Sequence, residues 1–221
     1  MNTHAWMQLA VLIGATFVFA APASAAGSDG SGVYIGVGAG ASRTSIDDPS
    51  AGINAALLAA GFASSTTASK NETSAAYKAF IGYSFNQYFA LEGGYFNLGK
   101  FKFDATVNPP GTLHGETKSQ GFNIDAVLSY PVGQGFSVFG RIGIQETKSK
   151  VDLTGTGSVN VLTSSTSENR RGRKSGIGLG YEFARGIGVR GEWEYYQIPD
   201  GTNTDTVAKV DVFGISLYYK F

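Results

Sequence analysis

The sequence predicts an all-β protein, an eight-stranded antiparallel up-and-down transmembrane β-barrel. Apolar residues alternate with small or polar residues in eight separate segments, the pattern of strands with one apolar face. Charged residues make up 15% of the chain, against about a quarter in soluble domains. After the N-terminal region, no apolar run reaches the ~20 residues that a membrane helix needs. Short and long connections alternate along the chain, as turns and loops do in membrane barrels.

The last predicted strand, residues 210–221, shows the alternation most clearly. Its apolar positions are Phe213, Ile215, Leu217, Tyr219 and Phe221, and mostly polar or small residues separate them. A strand half buried in a soluble sandwich would alternate in the same way. The terminal Phe, with no polar tail after it, resembles the closing strand of bacterial outer-membrane barrels. That resemblance implies that these positions form a C-terminal signal for the barrel-insertion machinery.

The start of the chain has the features of a secretory signal peptide. Residues 5–21 are apolar, and the A-x-A pattern of Ala23, Ser24 and Ala25 follows them. This region has no Lys or Arg, which departs from the usual basic start, and an N-terminal anchor helix is the alternative. We expect a signal peptide over residues 1–25 and an outer-membrane barrel domain over residues 26–221, in a Gram-negative bacterium.

The other strands are assigned from the same alternation and from the turn residues between them. The predicted strands cover residues 32–44, 74–85, 88–102, 118–130, 136–150, 169–183, 187–198 and 210–221. The short connections are 86–87, 131–135 and 184–186, and the long ones are 45–73, 103–117, 151–168 and 199–206. The Ala-rich residues 51–60 in the first long connection predict a short helix. An even strand number puts both termini at the short-turn side, expected to be periplasmic, with long loops extracellular.

Two stretches resemble a known family. Residues 78–99 (K-A-F-I-G-Y-S-F-N-Q-Y-F-A-L-E-G-G-Y-F-N-L-G) are similar to the second hairpin of the OmpA-like transmembrane β-barrel. Residues 178–197 (G-L-G-Y-E-F-A-R-G-I-G-V-R-G-E-W-E-Y-Y-Q) are similar to its sixth and seventh strands. The resemblance covers the chain after the signal peptide and is closest to barrel-only members of the OmpX and opacity type. It implies the fold but not the function, since the superfamily includes adhesion, resistance and structural roles.

Ionisable residues at inward-facing strand positions predict a charge network in the barrel lumen. Opposite charges at one depth should pair, because an unpaired buried charge is unfavourable. By resemblance, Glu92, Glu182 and Arg190 occupy the positions of a salt-bridge gate. The lysine that the family has on its fourth strand is missing, so a structural plug is the other interpretation, with Arg141 as a substitute cation. The predicted network residues are Lys78, Glu92, Asp125, Arg141, Glu182, Arg190, Glu192 and Glu194.

A basic cluster is predicted at the outer end of the fifth and sixth strands. It consists of Arg170, Arg171, Arg173 and Lys174, which face Lys148 and Lys150 if the two strands pair. Alternation points Arg171 and Arg173 outward, and Arg170 and Lys174 toward the lumen mouth. The cluster is either solvated rim charge or a contact for lipopolysaccharide phosphates or another acidic ligand, and for the lipid contact we select Lys148, Lys150, Arg171 and Arg173.

The composition argues against several classes of function. The chain has no Cys, so thiol and disulfide chemistry are excluded, and its 17 basic residues balance 17 acidic ones, which gives no nucleic-acid footprint. Of two His, His4 lies in the signal peptide and His114 in a predicted loop. We therefore predict no catalytic, cofactor or metal site. The expected role is structural or adhesive, through lipids, lipopolysaccharide or an extracellular ligand of the loops, and a narrow gated pore is the alternative.

Overall fold

The computed structural model describes residues 30–45, 58–59, 61, 64–71, 73–108, 110–157, 164–183, 186–199 and 207–221. Among these residues, nine strands form one antiparallel sheet: β1 (Gly32–Ser45), β2 (Ser64–Asn71), β3 (Thr73–Ser84), β4 (Phe89–Asn108), β5 (Gly111–Gly133), β6 (Phe136–Gly157), β7 (Ser164–Glu182), β8 (Ile187–Pro199) and β9 (Val207–Lys220). All except β2 close into a ring, because β1 pairs with β9 and β4 pairs with β5. The predicted eight-stranded antiparallel barrel is confirmed.

The outer wall of the ring is apolar and exposed. Val37, Ile142 and Ile215 are 61%, 69% and 67% exposed, and similar side chains alternate along every strand of the ring. The closed ring pairs the backbone groups of neighbouring strands, which is what a chain in hydrocarbon requires. An apolar belt on such a ring is the surface of a barrel that faces lipid. No helix in the described part of the chain has the length and hydropathy of a membrane span.

Aromatic rings gather at the end of the barrel that carries the short turns. Phe85 stacks on Phe89 with ring centroids 5.3 Å apart, and Tyr181 contacts Phe136 at 4.5 Å. Tyr219 meets the terminal Phe221 edge to face at 5.0 Å. Such rings mark the boundary between hydrocarbon and head groups in membrane barrels. They set the lower edge of the belt.

The short turns form where the sequence supplies turn residues. The side-chain Oδ1 of Asn86 accepts hydrogen bonds from the backbone N–H groups of Tyr88 (2.8 Å) and Phe89 (2.9 Å), which closes the β3–β4 turn. Between β5 and β6, Gln134 and Gly135 have φ values of 52° and 83°, which a turn of this tightness requires. Both turns lie where they were predicted, and residues 184–185 of the third lie outside the described residues.

Two of the predicted long loops are wrong, because the strands continue through most of them. β4 extends to Asn108 and β5 begins at Gly111, so residues 103–117 form a hairpin rather than a loop. A bulge between Asn97 and Lys100 shifts the register, so the inward-facing positions change from even to odd numbers. That change interrupts the alternation from which the strand was predicted. The predicted loop 151–168 likewise includes the end of β6 and the start of β7.

These longer strands project beyond the rest of the ring. β7 pairs with β6 up to Ser164 but with β8 only up to Arg173. β2, which lies in the predicted first loop, pairs with β4 from Lys102 to Asn108. We call this projecting part, β2 with residues 100–118, 148–157 and 164–169, the β-extension. Its inner face holds a small apolar cluster of Ala105, Val107 and Leu113, against which Phe103 and Leu153 pack.

Two sequence predictions fall largely outside the described residues. The signal peptide, residues 1–25, lies there entirely. Of the predicted helix over residues 51–60, only residues 58–59 are described, and they are helical. Both stay predictions.

Candidate functional site

The lumen of the ring contains a layer of charged side chains at mid-height. The layer consists of four cations and four carboxylates, so its formal net charge is zero: Lys78, Arg141, Lys174, Arg190, Glu92, Asp125, Glu192 and Glu194. Each comes from an inward-facing strand position, and all of these side chains are buried or nearly so. We call them the charged layer.

Arg141 is the centre of the charged layer. Its guanidinium nitrogens lie 2.9 Å from Glu92, 3.2 Å from Asp125, 2.8 Å from Glu192 and 3.3 Å from Glu194. The contact between Nη2 and Glu192 Oε2 is an ion pair without hydrogen-bond alignment, since neither atom has a hydrogen-bond partner. The side chain is 2% exposed. One planar cation therefore bridges carboxylates from three other strands.

Two lysines complete the pairing on either side of Arg141. Lys78 Nζ lies 2.6 Å from Glu192 and 2.9 Å from Glu194, and Lys174 Nζ lies 2.8 Å from both Asp125 and Glu194. Lys174 reaches Asp125 across Gly143, which lies between them in the register of β5, β6 and β7. A Cβ on Gly143 would lie 2.2 Å from Asp125 Oδ1. The glycine thus makes room for the pair.

Arg190 forms the lower edge of the charged layer. Its Nη1 donates a 2.5 Å hydrogen bond to Glu92, which also accepts one from the Tyr34 hydroxyl at 2.7 Å. Four aromatic rings surround the guanidinium, with centroids between 4.5 Å and 5.8 Å away: Tyr218, Tyr34, Phe139 and Phe80. Cation–π contact of this kind holds an arginine in place in addition to its carboxylate partner.

Apolar side chains pack above and below the charges. Below, towards the short turns, the buried cluster contains Tyr34, Phe80, Ala90, Val127 and Phe139. Above, the buried cluster contains Ala76, Phe96, Leu98, Tyr196, Ile198, Val210 and Val212. A cavity between Lys78 and the glycine-rich wall of β1 and β9 has a volume of about 20 Å³, close to the space one water occupies. At this level the lumen is filled by side chains.

The structure separates Glu182 from the other predicted network residues. Its side chain is exposed at the short-turn end, where it accepts a hydrogen bond from the Tyr218 hydroxyl at 3.4 Å. The prediction that it belongs to the network is corrected, because position 182 lies too close to the end of β7 to reach the layer. Sequence reasoning in turn missed Lys174, which was expected at the lumen mouth and lies within the layer.

The predicted basic cluster therefore divides. Arg171 and Arg173 point outward from β7 and are exposed, and Arg171 lies 3.4 Å from Glu146 on β6. Lys148 and Lys150 are exposed on the outward face of β6, with Lys150 3.0 Å from Asp152. Arg170 is partly buried and pairs with Glu168. The four residues selected for lipopolysaccharide contact thus share one outer surface, above the apolar belt.

The histidine outside the predicted signal peptide, His114, lies beside an aspartate in the β-extension. His114 lies on β5 of the β-extension rather than in a loop, and its Nδ1 is 2.6 Å from Asp104 Oδ1 on β4. Both side chains are about half exposed. No group of three or more metal-ligating side chains occurs among the described residues. Asp104 and His114 are direct cross-strand partners on β4 and β5.

The C-terminal strand closes the ring. Phe213, Ile215, Leu217 and Tyr219 all face outward, and β9 pairs with β1 and β8. The backbone N–H of Phe221 donates a 2.9 Å hydrogen bond to the carbonyl of Val33, so the last residue is joined to the first strand. The role of these residues as an insertion signal stays a prediction.

Comparison with known proteins agrees with this architecture. The chain matches the model of the outer membrane protein β-barrel domain over residues 11–221. It is 42% identical to outer membrane protein A of Yersinia pseudotuberculosis over 65 residues, 29% of this chain and 17% of that protein. It is 28% identical to outer membrane protein A of Klebsiella pneumoniae over 148 residues, 65% of this chain and 40% of that protein. The chain thus spans less than half the length of these relatives.

Solved structures share the fold. Ail, the attachment invasion locus protein of Yersinia pestis, superposes with a TM-score of 0.51 at 16% identity, covering 86% of this chain and 99% of that one. Neisserial surface protein A gives a TM-score of 0.50 at 12% identity, covering 86% and 97%. At such identities the likeness concerns the fold alone. The ring of eight strands, its apolar belt and the match over most of its length show that the chain belongs to the outer membrane protein β-barrel domain family.

Proposed function

We propose that this outer-membrane barrel is closed to solutes, has no catalytic activity, and has a structural and surface-interaction role in adhesion or envelope integrity. One observation carries the proposal: the lumen contains a neutral charged layer between two apolar layers. An eight-stranded ring is just wide enough for its interior to be filled by side chains. The barrel is then an anchor, and the surface outside it carries the function.

An ion that crossed this lumen would meet two obstacles. It would first leave water to pass an apolar layer, and transferring an isolated charge into such surroundings is strongly unfavourable. It would then have to break pairs in the charged layer, such as Arg141–Glu92 at 2.9 Å and Lys174–Asp125 at 2.8 Å. Charges of both signs are already compensated there. We infer that these side chains close the lumen to ions.

The orientation we propose puts both termini and the short turns in the periplasm. The aromatic rings at the short-turn end and the β-extension at the other end support it. In this orientation the β-extension stands outside the cell, where it is available to an extracellular ligand. The C-terminal strand, with its outward-facing Phe213, Ile215 and Tyr219, is available to the barrel-insertion machinery during assembly.

We also propose that Arg171 and Arg173, with Lys148 and Lys150 above them, contact lipopolysaccharide. Arg173 is in register with Ile144, which is 67% exposed and belongs to the apolar belt. An outward arginine directly at the top of the belt lies at the level of the phosphates of lipid A, and its planar fork binds such anions bidentately. Glu146 compensates only part of this charge, since it pairs with Arg171 at 3.4 Å.

A gated pore is the alternative function, and one observation favours it. A vestibule of about 500 Å³ opens at the short-turn end and leads to Arg190. Arg190 and Tyr34 both line this vestibule and both donate a hydrogen bond to Glu92, where the OmpA-type resemblance implies a gate. The four rings around its guanidinium argue against a side-chain movement that would open a path.

Planar-bilayer conductance distinguishes a plug from a pore. The purified wild-type protein should show at most small, infrequent steps. Arg190→Ala should leave the record almost unchanged if the upper apolar layer seals the lumen independently, whereas a gate predicts a marked rise in open probability. Large and stable steps from the wild type would refute the filled lumen.

Co-purification tests the lipid contact separately. Arg171→Ala with Arg173→Ala should reduce bound lipopolysaccharide while the heat-modifiable gel shift of the folded barrel stays the same. The matched control is Arg43→Ala with Lys209→Ala, which removes two exposed cations from the β1–β9 wall. Equal loss from both pairs would contradict a contact on the β6–β7 wall.

A further inference from the structure

A row of lysines crosses the outward face of the β-extension. Lys100 on β4, Lys118 on β5 and Lys150 on β6 are direct cross-strand neighbours in the register. Their side chains are 52%, 43% and 49% exposed. Like charges directly opposite one another destabilise a sheet, and here two such pairs follow in succession. The row therefore needs compensation from neighbouring carboxylates.

A single carboxylate holds part of this row together. Glu116 lies 3.2 Å from Lys100, 3.6 Å from Lys118 and 3.6 Å from Lys102, so three ammonium groups surround it. Asp152 pairs with Lys150 at 3.0 Å. We define Lys100, Lys102, Lys118 and Lys150 as the lysine face. With Glu116 and Asp152 counted, the lysine face has a formal charge of +2, and its ammonium groups lie close together on a solvent-exposed surface.

The distance of the lysine face above the apolar belt indicates which part of a ligand it can contact. On β5, Lys118 is four positions beyond Phe122, and on β6, Lys150 is six positions beyond Ile144. Phe122 and Ile144 are 68% and 67% exposed members of the apolar belt. At ~3.3 Å per residue along strands tilted by ~40°, the lysines lie about 10 to 15 Å above the belt. That is beyond Arg173 and beyond the level of lipid head groups.

We propose that the lysine face binds the anionic groups of a phosphorylated or sulfated saccharide. Ammonium groups are compact point charges with rotating donors, so they accept tetrahedral anions without demanding one orientation. A row of them suits a ligand with several anionic groups spaced along a chain. Such groups occur on the core sugars of lipopolysaccharide in the same membrane and on soluble sulfated polysaccharides. The lysine face shares only Lys150 with the proposed lipopolysaccharide contact, adds Lys100, Lys102 and Lys118, and binds another part of the ligand than the lipid A phosphates at Arg171 and Arg173.

Binding to the barrel in phospholipid nanodiscs tests the proposal. The two probes are the phosphorylated core oligosaccharide released from lipopolysaccharide and a dextran sulfate oligosaccharide of similar charge, with Kd measured by calorimetry at two salt concentrations. Lys100→Gln with Lys118→Gln should weaken binding of at least one probe at least about tenfold, because two charge-assisted contacts are lost. Arg43→Gln with Lys209→Gln, with the same change of charge on the opposite wall, should weaken it less than about threefold.

Three further measurements complete the design. Arg171→Ala with Arg173→Ala should leave the Kd for each probe within about twofold of wild type. The experiment therefore distinguishes a failure of the proposed lipid A contact from a failure of the proposed lysine face. An unchanged heat-modifiable gel shift verifies that each variant is folded. In nanodiscs that contain lipopolysaccharide with a phosphorylated core, loss of probe binding identifies the membrane as the source of the ligand, and retained binding identifies a soluble one. Equal weakening by both double variants, or no binding of either probe by wild type, would overturn the proposal.

Discussion

Replacing Arg141 by Met removes the central cation of the charged layer and leaves its side-chain volume largely filled. Arg141 contacts Glu92, Asp125, Glu192 and Glu194 within 3.3 Å and is 2% exposed. Without it the layer contains three cations and four carboxylates. Removing one partner of a buried ion pair costs about 3–5 kcal/mol, because the remaining charge stays buried without compensation. We expect a loss of this size in the free energy of unfolding.

Urea unfolding of the barrel in lipid vesicles, followed by the fluorescence of Trp193, measures the loss. Trp193 faces outward, stacks on Phe213 and donates a 2.8 Å hydrogen bond to Asp211, so its signal reports on the outer wall and not on the site of mutation. The matched control is Arg171→Met. That side chain is 90% exposed and lies 3.4 Å from one carboxylate, so a change of about 0–1 kcal/mol is expected.

A second substitution tests whether charge balance is the cause. Arg141→Met with Glu192→Gln again gives three cations and three carboxylates, and it should be more stable than Arg141→Met alone by at least about 1 kcal/mol. The reasoning is refuted if Arg141→Met lies within about 1 kcal/mol of wild type, or if the second substitution adds its full separate loss. Either result would mean that the lumen tolerates an uncompensated carboxylate through access of water.

Three other predictions concern the ends of the barrel and the β-extension. A tag inserted at Gly155 should be accessible on intact cells and one at Gly133 should not, and surface labelling at Gly133 would contradict the orientation. Gly99→Ala should lower the free energy of unfolding by about 1–3 kcal/mol in the same urea assay, because the φ of Gly99 is 85° and a Cβ would lie 2.2 Å from Ser74. The control Gly93→Ala should be neutral, because a Cβ at position 93 would meet open space. The hydrogen bond from Lys100 lowers the pKa of Glu116 below its ordinary value of 4.5, so its charge is lost only below that pH. Binding of dextran sulfate, whose charge does not change in this range, should then strengthen at low pH more in wild type than in Glu116→Gln, which keeps only Asp152 as a titrating acid of the lysine face.

The ring was predictable because its strands follow one physical rule. Each membrane-spanning residue faces either lipid or the lumen, so alternation appears in every strand, and the turns at 86–87 and 131–135 carry the Asn, Pro and Gly that tight turns require. The β-extension was not predictable in this way. Its outward face is polar, as in the sequence of Lys102, Asp104 and Thr106, and its inner cluster is small, so it has the composition of a loop.

The bulge at Gly99 also concealed the lysine face. Before it, inward positions on β4 are even-numbered, as for Glu92 and Phe96, and after it they are odd-numbered, as for Phe103 and Ala105. Lys100 and Lys102 therefore point outward only because the register shifts. The glycine at position 99, between two alternating stretches, was the signal available in the sequence.

The requirement that the lumen be electrically neutral could have predicted that Lys174 lies within it. The lumenal residues predicted from the sequence include three cations and five carboxylates, an excess of two negative charges inside a narrow barrel. Such an excess is strongly unfavourable away from water, so either a carboxylate lies outside the layer or a further cation lies within it. Both occur, since Glu182 is at the exposed end and Lys174 lies 2.8 Å from Asp125 and Glu194. Asp125 and Lys174 lie on either side of Gly143 in the register of the three strands. Only a glycine leaves space between their side chains, because a Cβ at position 143 would lie 2.2 Å from Asp125 Oδ1. Gly143→Val should therefore separate the pair and destabilise the barrel as removal of the lysine does.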